Sequence, residues 1–192
     1  MKRPRSTYRL QVNADFTLSQ VRALIRYFVK LGISDLYLSP LFQARPGSTH
    51  GYDVTDPAQV NVEIGTTEEL EELTAALRAH DMGILLDIVP NHMSASEANP
   101  WWRDVLEHGP ASAYAHYFDV DWTADPPGAG RVVLPMLAEE PARCIAGGDL
   151  RVVIHDYEPA IAYHDRRLPL DPATYPLLIA ALRSSNGEFT SN

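Results

Sequence analysis

Apolar residues recur in two rhythms through the N-terminal half of the chain, and the switching between them predicts the architecture. In TYRLQV they alternate with polar residues, so Thr7–Val12 predicts a first strand. In TLSQVRALIRYFVKLGIS, Val21, Leu24, Ile25, Phe28 and Leu31 fall on one helical stripe, with Ser19 as N-cap and Gly32 as the stop. DLYLSP gives a second strand, Asp35–Ser39, ended by Pro40, and a long Gly- and Pro-punctuated loop follows from Leu41 to about Gly65. A second helix opens at GTTEEL, where Thr66 and Glu69 have capping-box spacing. Leu70, Leu73 and Leu77 form its buried stripe, and Gly83 closes it. ILLDIV then reads as a third strand, apolar on both faces like a covered parallel strand. Strand, helix, strand, helix, strand predicts an α/β fold on a parallel sheet, either doubly wound or the opening of a barrel.

After His92 the rhythm breaks: most of the 15 prolines lie in the remainder of the chain. NPWWRDVLEHG predicts a short helix with Asn99 as N-cap, Pro100 at its first position and Gly109 after its end. RVVLPML, LRVVIHDY and PAIAYHD read as short strands with turns at PPGAG and GGD, and LDPATYPLLIAALRS as a last helix capped by Asp171. The expected organisation is therefore residues 1–92 as the parallel unit and 93–192 as an irregular α+β insertion hung from the end of the third strand.

Composition narrows the classes. With 192 residues and 45% hydrophobic content the chain can bury a genuine core. A net charge of -9 without any Lys/Arg cluster argues against nucleic acid and anionic membrane surfaces. The single cysteine, Cys144, excludes an intrachain disulfide, and STYRLQVNADF after the basic start supplies no apolar signal segment. Nothing approaches the run of about 18 to 20 apolar residues a membrane helix needs, so the chain reads as cytoplasmic. P-loop, G-x-S-x-G, G-x-G-x-x-G and metal-ligand spacings are absent, and no cofactor or metal is expected.

Candidate chemistry collects beyond the carboxyl ends of the predicted strands, where parallel sheets bind ligands. Asp87, flanked by Leu86 and Ile88, must be hydrogen-bonded or paired. It either holds a loop or floors a polar pocket. Asn91 and His92 can donate to a polar ligand or serve structure alone. In STHGYD, His50, Tyr52 and Asp53 surround Gly51, and the Tyr52 ring suits either stacking on a sugar or packing the loop. Trp101 and Trp102 read as anchors, because neighbouring helical residues point about 100° apart.

These stretches resemble a known family. DIVPNH is similar to the first signature region of the α-amylase superfamily of glycoside hydrolases, at the third strand of a (β/α)8 barrel, and HGYD followed by TDP to the loop after the second strand. More narrowly, STYRLQ, YLSPLFQARPGSTHGYDVTDP, LLDIVPNHMS, NPWWRDVLEHGPASAYAHYFDVDW and LPLDPATY resemble the N-terminal part of the maltooligosyltrehalose synthase family. The resemblance implies the first three strands and two helices of a TIM barrel, with the insertion after the third strand. It implies an intramolecular transglucosylase that converts the reducing-end α-1,4 bond of a maltooligosaccharide to an α,α-1,1 bond. Tyr52 would stack on the sugar before the scissile bond, His92 would hydrogen-bond it, and Asp87, Asp53 and His50 would line the substrate side. Asn91 would tie the third strand to the insertion.

Amylase-type retention needs two carboxyl groups about 5 Å apart. In the family these come from later strands, and nothing like their Gly-Phe-Arg-x-Asp signature appears from Met93 onward. No catalytic residue is therefore expected in this chain, and it should be inactive alone. Another α-amylase-type hydrolase or transglycosylase, or a non-catalytic carbohydrate-binding scaffold, are the competing readings.

Overall fold

In a computed structural model, residues 3–123, 131–155 and 158–185 are described. The chain divides into two compact units, Met1–Asn99 and Pro100–Asn192.

The first unit is built on three short parallel strands, β1 (Thr7–Leu10), β2 (Asp35–Leu38) and β5 (Gly83–Leu86), in spatial order β1-β2-β5. Their register sets Thr7, Asp35 and Gly83 level, then Arg9, Tyr37 and Leu85. Alternation sends Leu10, Leu36 and Leu38 to one face, where they are buried against Leu18, Val21, Ile25, Phe28, Leu73 and Leu77 of the covering helices. The other face carries Arg9 and Tyr37. At its amino end, a Cβ on Gly83 would meet the Asp35 carboxylate, which would have to swing aside.

The first predicted helix is two, α1 (Leu18–Ala23) and α2 (Ile25–Lys30), joined through Leu24. The Leu24 N–H bonds back three residues to the Val21 carbonyl, which tightens one turn. The N-cap is Thr17, whose capping box uses Gln20, not Ser19. Leu24 and Leu31 are exposed rather than part of the buried stripe, which runs through Leu18, Val21, Ile25 and Phe28. Gly32, in the left-handed region at φ 78°, ends it as expected.

Helix α3 (Thr67–Ala79) has the Thr66–Glu69 capping box. Its chain reversal comes at Asp81, φ 57°, and not at Gly83, which already belongs to β5. The expected loop after β2 holds a two-stranded antiparallel hairpin, β3 (Phe42–Ala44) and β4 (Val54–Val60). Strand β5 is shorter than the expected third strand, and Leu85, Leu86 and Ile88 are 37%, 53% and 58% exposed, so it is not covered on both faces.

The second unit begins with α4 (Pro100–His108), followed by single 3₁₀ turns at Gly109–Ala111 and Ala115–Tyr117. Trp102 and Val105 face inward, and Trp101 stacks on Tyr114 with centroids 5.2 Å apart, so both tryptophans are anchors. RVVLPML forms no strand; its place is an irregular segment, and the short helix α5 (Pro141–Ala146) follows. The unit's sheet is an antiparallel meander of β6 (Leu150–His155), β7 (Glu158–Tyr163) and β8 (Arg166–Pro169). Asp171 caps a 3₁₀ turn, Pro172–Thr174, which leads into α6 (Tyr175–Ser185). The predicted turn at PPGAG lies outside the described residues.

Candidate functional site at the strand ends

The polar face of the parallel sheet places the site. Asp87 follows β5 and continues its ladder, its N–H donating to the Leu38 carbonyl at 3.1 Å. Two residues beyond Leu85, it lies on the same face as Arg9 and Tyr37.

Tyr52 reaches that face from the β3–β4 hairpin. The Arg45 N–H bonds the Asp53 carbonyl at 3.0 Å to close the loop, and the Ser48 hydroxyl donates to the Asp53 carboxylate while accepting the Gly51 N–H at 3.1 Å. Gly51 turns at φ 77°, and a Cβ there would sit 2.8 Å from the Pro40 carbonyl oxygen. Gln11 then tethers the loop to the end of β1, donating from Nε2 to the Thr49 and His50 carbonyls at 3.2 and 3.1 Å.

The result is convergence on one oxygen. The Tyr52 hydroxyl donates to Asp87 Oδ2 at 2.5 Å and the Tyr37 hydroxyl donates to the same atom at 3.2 Å. Arg9 Nη2 is 3.5 Å from it and donates to Tyr52 Oη at 3.0 Å, while its guanidinium carbon lies 4.8 Å from the Tyr37 ring centroid. Asp87 is only 15% exposed, so these donors satisfy a largely buried carboxylate. The bond to Asp87 pushes the Tyr52 phenol above its ordinary range. Desolvation and the carboxylate's charge add to this, and Arg9 pulls the other way. Tyr52 is therefore a neutral hydroxyl at physiological pH.

Of the residues expected from sequence, Tyr52 and Asp87 are in direct contact. His50 and Asp53 flank them: His50 Nδ1 accepts the Tyr52 N–H at 3.0 Å, stands 3.8 Å from Asp53 Oδ1, and its ring stacks on Tyr52 at 5.9 Å. Asn91 and His92 are exposed and hydrogen-bond each other at 3.1 Å, and none of their described contacts reaches Tyr52 or Asp87. Arg9 and Tyr37 were missed. Part of the signal was available: alternation in TYRLQV and DLYL puts both opposite the core leucines, but only the observed register sets them level. Two cavities lie elsewhere. One, about 440 Å³, is lined in the second unit mainly by Val105, Leu134, Ile161 and Leu168, and the other, about 370 Å³, by α3 and β5. Neither includes the four convergent groups. No group of three metal-ligating side chains occurs among the described residues.

A tyrosine ring beside a sheltered carboxylate at parallel strand ends is suited to a neutral, hydroxyl-rich ligand. Comparison with known proteins gives the family. The family model of the alpha amylase catalytic domain matches residues 11–139. The chain belongs to the alpha-amylase family. A Mycobacterium tuberculosis protein named "Putative maltooligosyl trehalose synthase" is 46% identical over 142 residues, 70% of this chain and 18% of its own length. The solved maltooligosyltrehalose synthase of Arthrobacter ramosus is 42% identical with a TM-score of 0.79, covering 89% of this chain and 22% of that one. The palatinase of Erwinia rhapontici is 35% identical over 108 residues, 55% of this chain and 19% of its own. This alpha-amylase family chain thus spans about a fifth of the length of the curated relatives it matches. Among the described residues no helix is long and apolar enough to cross a membrane.

Proposed function

We propose that this chain builds the glucose-gripping wall of a (1→4)-α-D-glucan 1-α-D-glucosylmutase. Such an enzyme moves the reducing-end glucose of a maltooligosaccharide from an α-1,4 to an α,α-1,1 link within one chain, a step in trehalose biosynthesis. The observation that carries the reading is the breadth of the likeness: similarity to maltooligosyltrehalose synthases extends through both units, whereas the palatinase match covers little more than half the chain. On this reading residues 1–92 supply the first three strands of a (β/α)8 barrel and 93–192 a subdomain inserted after the third. The Tyr52 ring stacks on the sugar preceding the scissile bond, His92 donates to it, and Asp87 with Asp53 and His50 lines the floor. Asn91 ties strand to insertion.

The acidic pair is assigned to sequence outside these residues. Asp87 is committed to Tyr37, Tyr52 and Arg9, and Asp53 to Ser48 and His50, so neither is a free nucleophile or proton donor. The chemistry needs two carboxyl groups across an oxocarbenium-like transition state. The test is product analysis with the polypeptide expressed from the complete gene and maltopentaose. The expected outcome is loss of reducing ends without shortening of the chain. Release of free maltose or glucose as the main product would assign a hydrolase instead. The 192-residue chain alone should give no product above a vector control.

A further inference from the structure

We propose that Arg9 is the positioning residue of the site: its guanidinium dictates where the Tyr52 hydroxyl points and so fixes the ring set against the sugar. The inference rests on the function proposed for Tyr52 but draws on different geometry. A phenol has one hydrogen and two lone pairs, whereas a guanidinium has only donors. Arg9 Nη2, 3.0 Å from Tyr52 Oη, must therefore donate, and the phenol's single hydrogen is left for Asp87 Oδ2 at 2.5 Å. Two bonds in opposite senses hold the tip of a ring that is otherwise carried on a hairpin loop.

Arg9 is itself held. It lies over the Tyr37 ring at 4.8 Å, and Nη2 is 3.5 Å from both Gln11 Oε1 and Asp87 Oδ2. Its side chain is 37% exposed, so its charge alone contributes little through a screened ion pair. The contribution is directional. A lysine would keep the charge but not the planar fork that stacks on one ring while donating to another. The charged and titratable groups facing the Tyr52 hydroxyl are Asp87 beyond β5, Arg9 on β1 and Tyr37 on β2, with His50 and Asp53 alongside in the same loop. Because Arg9 favours the ionised phenol, its removal moves the Tyr52 titration upward.

The experiment is a double-mutant cycle in the polypeptide from the complete gene, comparing the parent with Arg9→Met, Tyr52→Phe, the pair together, and Arg9→Lys. Consumption of maltopentaose is followed whatever the product, and Tyr52 ionisation is followed by tyrosine ¹³Cζ NMR, its signal identified by loss in Tyr52→Phe. Arg9→Met should lower kcat/KM about tenfold, the scale of one charge-assisted hydrogen bond. In the Tyr52→Phe background the same change should cost under about twofold. Arg9→Lys should resemble Arg9→Met in kcat/KM, because it lacks the fork, whereas the Tyr52 midpoint should rise in Arg9→Met and by less in Arg9→Lys, which keeps the charge. Equal cost in both backgrounds, or a Tyr52 titration unmoved by loss of Arg9, overturns the assignment. Consumption without trehalose-ended product removes the mutase reading and leaves this test intact; with no consumption at all, the titration alone decides.

Discussion

The sheets of the two units are assembled from contacts of opposite range. In the first, the bonds at the strand ends join residues 35, 43 and 50 positions apart, each from a different element. In the second, the sheet is a meander of adjacent hairpins; Arg151 and Arg167 answer carbonyls three residues away, at Gly148 and His164, while Arg103 reaches far, to Glu158. Local pairing yields a stable sheet without a convergent polar group. Distant strands brought level by parallel register yield a surface on which unlike side chains meet. The candidate chemistry lies in the unit that had to pay the greater loop-closure entropy.

The comparison can be broken with four substitutions. The three tryptophans of these 192 residues, Trp101, Trp102 and Trp122, belong to the second unit, so in the 192-residue chain their emission follows that unit. Leu73 is fully buried in a core cluster confined to the first unit, and Leu73→Ala should cost about 2–5 kcal/mol there. Trp102→Ala, beside Phe118 at 5.0 Å, should cost about 3–5 kcal/mol in the second. In urea unfolding, Leu73→Ala should lower the circular-dichroism midpoint while leaving the tryptophan transition in place, and a joint shift would erase the distinction between units. Asp87→Ala comes next. It leaves the Tyr37 and Tyr52 hydroxyl hydrogens without their acceptor and Arg9 without its nearby carboxylate, and about 1–3 kcal/mol should be lost, again without moving tryptophan emission. Gly51→Ala is the smallest: forced left-handed backbone costs about 1–2 kcal/mol, and the Pro40 carbonyl must also give way. Its sharper readout is the Tyr52 ¹³Cζ signal, which should move toward that of a free tyrosine, and an unchanged signal would show that the hairpin does not aim the ring.

What was legible in the sequence follows the same division of range. The Thr66–Glu69 cap, the stop at Gly32 and the three parallel strands were readable because each rests on a few neighbouring residues. The β3–β4 hairpin was not, since Pro57 interrupts β4 and the pairing is irregular, shifting register twice. Helix α5, six residues long, is too short for a periodic stripe to announce it. At the site, the need of Asp87 for partners could be argued from its apolar neighbours, but their identity could not. Arg9 and Tyr37 become partners only when β1, β2 and β5 are set side by side, a fact of register and not of spacing.

The direction of the hydrogens has a consequence for selectivity. Tyr37 and Tyr52 each own a single hydroxyl hydrogen, and both aim it at Asp87 Oδ2. What the Asp87–Tyr37–Tyr52 cluster itself offers an arriving molecule is lone pairs, those of Asp87 Oδ1 and the phenol oxygens, so the donors on this wall are the remaining N–H groups of Arg9, which is 37% exposed. A visiting alcohol can be welcomed at Asp87 Oδ1 as a giver of hydrogen, whereas an ether or carbonyl finds its welcome only on the Arg9 side.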